Sequence, residues 1–262
     1  MSIPSYSQQT TGGADYQQSA PPPPPQTTYE VRFPQGKAVV TWVILGVTVI
    51  MYLLQVGSQA LTGYDLPMIY GAKINEYIIA GQIWRLFTPV LLHGSIIHIA
   101  FNMYALYAIG PTLERAYGHG RFLILYVLTG FAGNVMSFLL SANPSLGSST
   151  AIFGLVAAEG VFVYQNKKFF GKRFKSVILN ISMIVAVNLI IGLNPGIDNW
   201  GHVGGLLGGL VFSWLSGPIW EVTGIAPVFS ITDTRPSSRV VLAGLIVLAL
   251  FSALAVGKMI LG

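Results

Sequence analysis

Leu146-Gly147-Ser148-Ser149-Thr150-Ala151-Ile152-Phe153-Gly154 and Asn199-Trp200-Gly201-His202-Val203-Gly204-Gly205-Leu206-Leu207-Gly208-Gly209 each open a long apolar run with a polar side chain. A polar residue at bilayer depth is costly and marks a functional site by default. Serine paired with histidine suggests a nucleophile and its general base. The small residues give a reason for the two runs to touch. Gly201, Gly205 and Gly209 recur at intervals of four, as do Gly204 and Gly208, while Gly147, Ala151, Gly154 and Ala158 form a small face on the other run. Such spacing lets membrane helices approach closely, which would bring His202 within reach of Ser149.

The rest of the chain agrees with a membrane setting. Its 262 residues are 53% hydrophobic and 9% charged, against about a quarter charged in a soluble domain. The fold class expected is therefore an all-α, polytopic helical bundle. A spanning helix needs about 20 mostly apolar residues, and seven stretches qualify, near 38–57, 95–113, 120–141, 149–166, 176–193, 199–219 and 238–260. Residues 1–37 are rich in Pro, Gln and Ser, with five prolines at Pro21 to Pro25. That composition reads as a disordered tail. Residues 38–219 then form a six-helix core, 220–237 a linker, and 238–262 a seventh spanning helix. The net charge of +5 is explained by short loops, so no nucleic-acid partner is expected. The chain has no cysteine and four histidines, His93, His98, His119 and His202. That excludes thiol chemistry and supplies a metal cage poorly, so no metal and no cofactor are expected.

Lysine and arginine set the orientation. With the N-terminus in the cytoplasm, eleven of fourteen fall inside: Arg32, Lys37, Arg115, Arg121, Lys167, Lys168, Lys172, Arg173, Lys175, Arg235 and Arg239. Lys73, Arg85 and Lys258 fall outside. The positive-inside rule favours this topology, with the C-terminus outside. His98 and Asn102, Ser149, and His202 then begin the second, fourth and sixth helices, all entering from the outer side. One composite site near the outer leaflet follows. His98 and Asn102 lie four apart, on one helix face, and offer N–H donors for an oxyanion. The start of the fourth helix adds unpaired backbone N–H groups beside Ser149. Gly147 allows close backbone approach. Glu159 is expected to pair inside the bundle, His93 to be an interfacial loop residue, and His119 to lie on the far side.

These motifs resemble those of the rhomboid intramembrane serine proteases. The family pattern of Gly-x-Ser-x, of His followed by a glycine ladder, and of His-x-x-x-Asn is matched by Gly147-Ser148-Ser149-Thr150, by His202 with Gly205 and Gly209, and by His98 to Asn102. Trp84-Arg85 is similar to the family's Trp-Arg pair in the first loop. Gly110-Pro-Thr-Leu-Glu114-Arg115-Ala-Tyr-Gly118 is similar to the segment after the second helix, where Glu and Arg anchor the loop. The resemblance implies Ser149 as nucleophile and His202 as general base. His98, Asn102 and the Ser149 backbone N–H would form the oxyanion hole. Phe153 holds the place of a residue stacked on the histidine. It implies transmembrane protein substrates in a lipid bilayer, cleaved where their helix unwinds and reached past the fifth helix. Thr150 stands where the family more often has glycine, and is expected to narrow the site or shift substrate preference.

Two other readings fit the same polar cluster. One is a non-catalytic rhomboid-like protein that binds membrane clients; the other is a channel or transporter, against which no inverted repeat is visible. The first residues lack a targeting presequence, which favours a bacterial plasma membrane. The tail and the extra helix also fit a membrane of the eukaryotic secretory pathway.

Overall fold

The computed structural model describes residues 30–32 and 36–261. Seven long helices dominate it: α1 (Val39–Thr62), α2 (Ile96–Tyr117), α3 (His119–Leu140), α4 (Ser149–Gln165), α5 (Phe174–Ile191), α6 (Asn199–Ser216) and α7 (Ser237–Leu261). They correspond one to one with the seven apolar stretches. Among the described residues, five helical segments are long and apolar enough to cross a membrane: α1, α2, α3, α7 and Lys167–Ile191, which includes α5. The two others are the helices that carry Ser149 and His202. Helix α4 has only 17 residues, and α6 is diluted by glycine. The chain is a multi-pass integral membrane protein with an all-α bundle.

Helix α3 is the axis of the bundle: 67% of its apolar window is buried, against 6% for the segment containing α5. Around it, α4 and α6 pack through glycine. A Cβ added to Gly205 would run into the Thr150 carbonyl, and one on Gly209 into the Gly154 carbonyl. The alternate stripe faces α3: a Cβ on Gly208 would sit 2.7 Å from the Ala132 methyl, and one on Gly204 2.5 Å from the Met136 Cβ. The two glycine series therefore serve two neighbours, α4 and α3, rather than α4 alone. Helix α7 closes the outside of α3 and α6 with Ala243, Val247, Phe251 and Ala255, every fourth residue, all buried. Helix α5 buries a single residue, Ile181.

The segment between α1 and α2 is built, not slack. It holds two short helices, Leu66–Gly71 and Asn75–Ile79, and two 3₁₀ turns. It grips the loop before Ser149. Lys73 and Ser145 exchange backbone hydrogen bonds of 2.9 and 3.0 Å. The buried Lys73 ammonium donates to the carbonyls of Ser141 and Asn143 at 2.9 and 2.8 Å. Burial pulls its pKa down to about 8, against the pull of Asp198 and Glu76. Arg85, also buried, donates to the Ala72 and Ile69 carbonyls at 2.7 Å each and to Gln82 Oε1. A buried cation is tolerated only when its donors are satisfied, and backbone carbonyls satisfy both.

At the other end of the bundle the structure departs from the linker reading. Residues 220–237 contain an antiparallel hairpin, β2 (Trp220–Ile225) and β3 (Val228–Asp233). A third strand, β1 (Glu30–Arg32), pairs with β3 in parallel. The hairpin is pinned to the bundle by the Arg121–Asp233 ion pair at 2.9 Å and by the Asn166 amide, which accepts from the Trp220 N–H and donates to the Pro218 carbonyl. Val, Thr and Ile suit an exposed strand, and the anchors lie at the base of the hairpin, where Trp220 pairs with Asp233. The proline-rich tail read from the sequence lies outside the described residues apart from β1 and Gly36-Lys37.

Candidate active site

Gly147 has φ +127°, a backbone region suited to glycine. It turns the chain from the braced loop into α4, its N–H held by the Pro89 carbonyl at 2.9 Å. Ser149 follows as the first residue of α4. On α6, Asp198 caps the helix by accepting the Gly201 N–H at 3.0 Å, which sets His202 in the first turn. With the glycine contacts holding the two helices together, Ser149 Oγ and His202 Nε2 are 3.0 Å apart. Phe153, one turn along α4, stacks on the imidazole at 4.2 Å and 10°. The stack and the serine fix the ring from two directions. His202 is buried, and its Nδ1 has no hydrogen-bond partner among the described residues.

His98 and Asn102 come from α2. A Cβ on Gly147 would stand 2.8 Å from His98 Nε2 and 3.7 Å from Ser149 Oγ. Ring and hydroxyl therefore share the space that the missing side chain leaves open. Asn102 is buried and gives one amide hydrogen to the His98 carbonyl at 3.0 Å; its second donor is uncommitted. Ser149, His202 and His98, from three helices, thus meet at one end of the bundle, with Asn102 one turn along α2 from His98.

A model of the Rhomboid domain matches residues 80–219. This chain belongs to the rhomboid family. It is 39% identical over 178 residues to Rhomboid protease GluP of Bacillus subtilis (strain 168), covering 68% of this chain and 34% of that protein. It is 36% identical over 159 residues to RHOMBOID-like protein 9, chloroplastic, of Arabidopsis thaliana, covering 60% and 37%. RHOMBOID-like protein 1 of the same plant is 36% identical over 160 residues, covering 61% and 40%. This rhomboid therefore spans about a third to two fifths of the length of these relatives.

Several expected residues take places in this rhomboid that the sequence did not suggest. His93, read as interfacial, is 1% exposed. Its Nε2 lies 3.3 Å from Ser148 Oγ, and its ring meets His98 edge-on at 5.0 Å. Gln55 of α1 clasps its backbone from both sides, accepting the N–H at 2.9 Å and donating to the carbonyl at 3.3 Å. Burial, reinforced by His98, lowers the His93 pKa to about 4, so the ring is neutral. Beside it a cavity of about 320 Å³ is lined by Gln55, Gln59, Asp65 and His93 among others.

Thr150 does not line the space around Ser149. Its side chain points into the junction of α3, α4 and α6, where a Cβ on Gly201 would meet its methyl at 2.9 Å. Trp84 donates to the Tyr70 carbonyl at 3.0 Å, so Trp84-Arg85 knits the first loop. Glu114 anchors as expected, but it holds the start of α1: it accepts the N–H groups of Val40 and Thr41 at 2.8 and 2.7 Å, and bonds His119 Nδ1. Among the described residues Arg115 bonds only Thr112, at 3.4 Å on its own helix. Glu159 forms no ion pair among the described residues, contrary to the expected pairing; it is half-buried. His119 sits with Glu114, away from Ser149, at the start of α3.

Proposed function

We propose that this rhomboid is an intramembrane serine endopeptidase that cleaves transmembrane segments of single-span proteins. The observation that carries the reading is the 3.0 Å hydrogen bond from Ser149 to His202 across the α4–α6 contact. His202 Nε2 takes the Ser149 proton as Oγ attacks the scissile carbonyl. The oxyanion is held by donors from His98, Asn102 and the Ser149 backbone N–H. His202 then protonates the leaving amine and leaves an acyl-serine. A water, deprotonated by the same imidazole, releases the acid and restores Ser149. A relative named as a protease adds weight to hydrolysis over client binding alone. The sparse packing of α5 supports substrate access past that helix, and the basic loops at the far end of the bundle support a cytoplasmic placement of that end.

The test is cleavage of a single-span reporter in proteoliposomes, with fluorophosphonate labelling of the same samples. Ser149→Ala is expected to lose activity by about 10³-fold or more together with labelling, while Ser148→Ala keeps both. Full activity in Ser149→Ala would falsify the assignment.

A further inference from the structure

We propose that the notch between α1 and α2, at the end of the bundle remote from Ser149, is a binding site for one anionic glycerophospholipid. Its volume is about 860 Å³, within the range of small-molecule sites. Trp42 and Tyr107 form its walls, with ring centroids 5.8 Å apart. Both are more than half exposed, on a surface that in a membrane faces lipid. Lipid is therefore the medium that fills the notch, and the lining selects which lipid.

Three features select the headgroup. Lys37 and Arg115 both line the notch, and neither has an ion-pair partner among the described residues. The nearby Glu114 does not neutralise them. Its side chain is fully buried, and its oxygens are taken by Val40, Thr41 and His119. Two cations at a membrane–water boundary attract an anionic headgroup, and a guanidinium presents paired donors to a phosphodiester. Pro111 supplies the third feature. It has no N–H, so the Tyr107 carbonyl one turn back loses its usual helical donor. A headgroup hydroxyl, as in phosphatidylglycerol, can donate there. Thr112 adds a hydroxyl beside Arg115. The acyl chains then run along Trp42 and Tyr107, which suits aromatic rings at a membrane interface.

The proposal does not depend on the catalytic reading. It is tested by native mass spectrometry of the full chain, released from detergent micelles with phosphatidylglycerol or phosphatidylcholine of identical acyl chains. The wild type is expected to retain one phosphatidylglycerol in preference to phosphatidylcholine. Each basic residue beside an anionic headgroup contributes about fivefold, so Lys37→Gln with Arg115→Gln should weaken retention by about 30-fold. Lys168→Gln with Lys172→Gln, in the strongest basic cluster outside the notch, should leave it unchanged. A second readout is quenching of Trp42 by lipid brominated in its chains. Brominated phosphatidylglycerol should quench more than brominated phosphatidylcholine, and Trp42→Phe should remove the difference. Equal retention of the two lipids by the wild type would overturn the site. So would a double variant that binds as the wild type does, or an equal loss in the Lys168/Lys172 control.

Discussion

Two serine–histidine pairs stand back to back at the start of α4, and they differ in what surrounds them. Ser149 meets His202 at 3.0 Å with Phe153 stacked on the ring. Ser148 meets His93 at 3.3 Å, and both are buried to 1% exposure or less. The first pair shares its space with His98 and adjoins the gap left by Gly147. The second is clasped by Gln55, on the side of His93 away from Ser149. Neighbouring residues on a helix are separated by about 100°, so adjacent serines face different partners. Under the proposed mechanism it is the neighbouring His98 and the gap at Gly147, not the identity of the side chain, that single out Ser149.

The largest effect that separates the pairs is expected at the histidines. His202→Ala should lower reporter cleavage by about 10³-fold or more with the folded fraction unchanged. His93→Ala should lower it by about 10-fold, through looser placement of His98, and should also lower the thermal midpoint. If His93→Ala were as severe as His202→Ala in a folded sample, the division of roles would fail. Gly205→Ala comes next. Its Cβ runs into the Thr150 carbonyl, so α4 and α6 must separate. Overpacking of this kind costs about 1–3 kcal/mol. The stretched Ser149–His202 bond should lower kcat by about 10²-fold, with KM nearly unchanged. A Gly205→Ala enzyme with wild-type kcat would show that the glycine contact does not set the dyad.

Legibility followed the same division. Ser149 and His202 were readable because polar groups are rare in apolar helices and the glycine spacing gave a reason for contact. His98 was readable as a neighbour of Ser149 through the helix topology, whereas Asn102 is placed only by its bond to the His98 carbonyl. His93 was not: its partners Ser148 and Gln55 lie 55 and 38 residues away, and nothing local marks it. Lys73 and Arg85 entered the charge count as loop cations, yet both are buried. Their acceptors are mostly backbone carbonyls, which every residue carries and no sequence advertises. Arg115 was grouped with Glu114 by the family resemblance, but the 100° turn between neighbours sends it outward. The β2–β3 hairpin was legible in principle from Val222-Thr-Gly-Ile-Ala-Pro-Val-Phe-Ser-Ile. Its position between two apolar helices drew it into the linker.

A pH titration gives a smaller, signed effect at His93. His93 has its pKa lowered from 6.5 to about 4 in the folded chain by burial. Between those values the unfolded chain takes up a proton at His93 that the folded chain does not. Its contribution is therefore fully present above pH 6.5 and lost as pH falls toward 4. The thermal midpoint in detergent should fall over that window, and His93→Gln should flatten part of the fall. An identical pH slope in the variant would mean that His93 is not held neutral.

The smallest effect belongs to Thr150, the third member of the run. Ser148 faces His93, Ser149 faces His202, and Thr150 faces Gly133 and Gly201. Three consecutive side chains thus reach three separate neighbours. Thr150 is buried to 3% and fills the junction of α3, α4 and α6, where a methyl is missed but a substrate is not felt. Thr150→Ser removes that methyl and should cost about 1 kcal/mol, a fall of about 2–4 °C in the midpoint for a chain of this size. The ratio of kcat/KM for two reporters with small and large residues at the scissile bond should not change. A shifted ratio at unchanged stability would return Thr150 to the peptide-binding surface, where the sequence first suggested it.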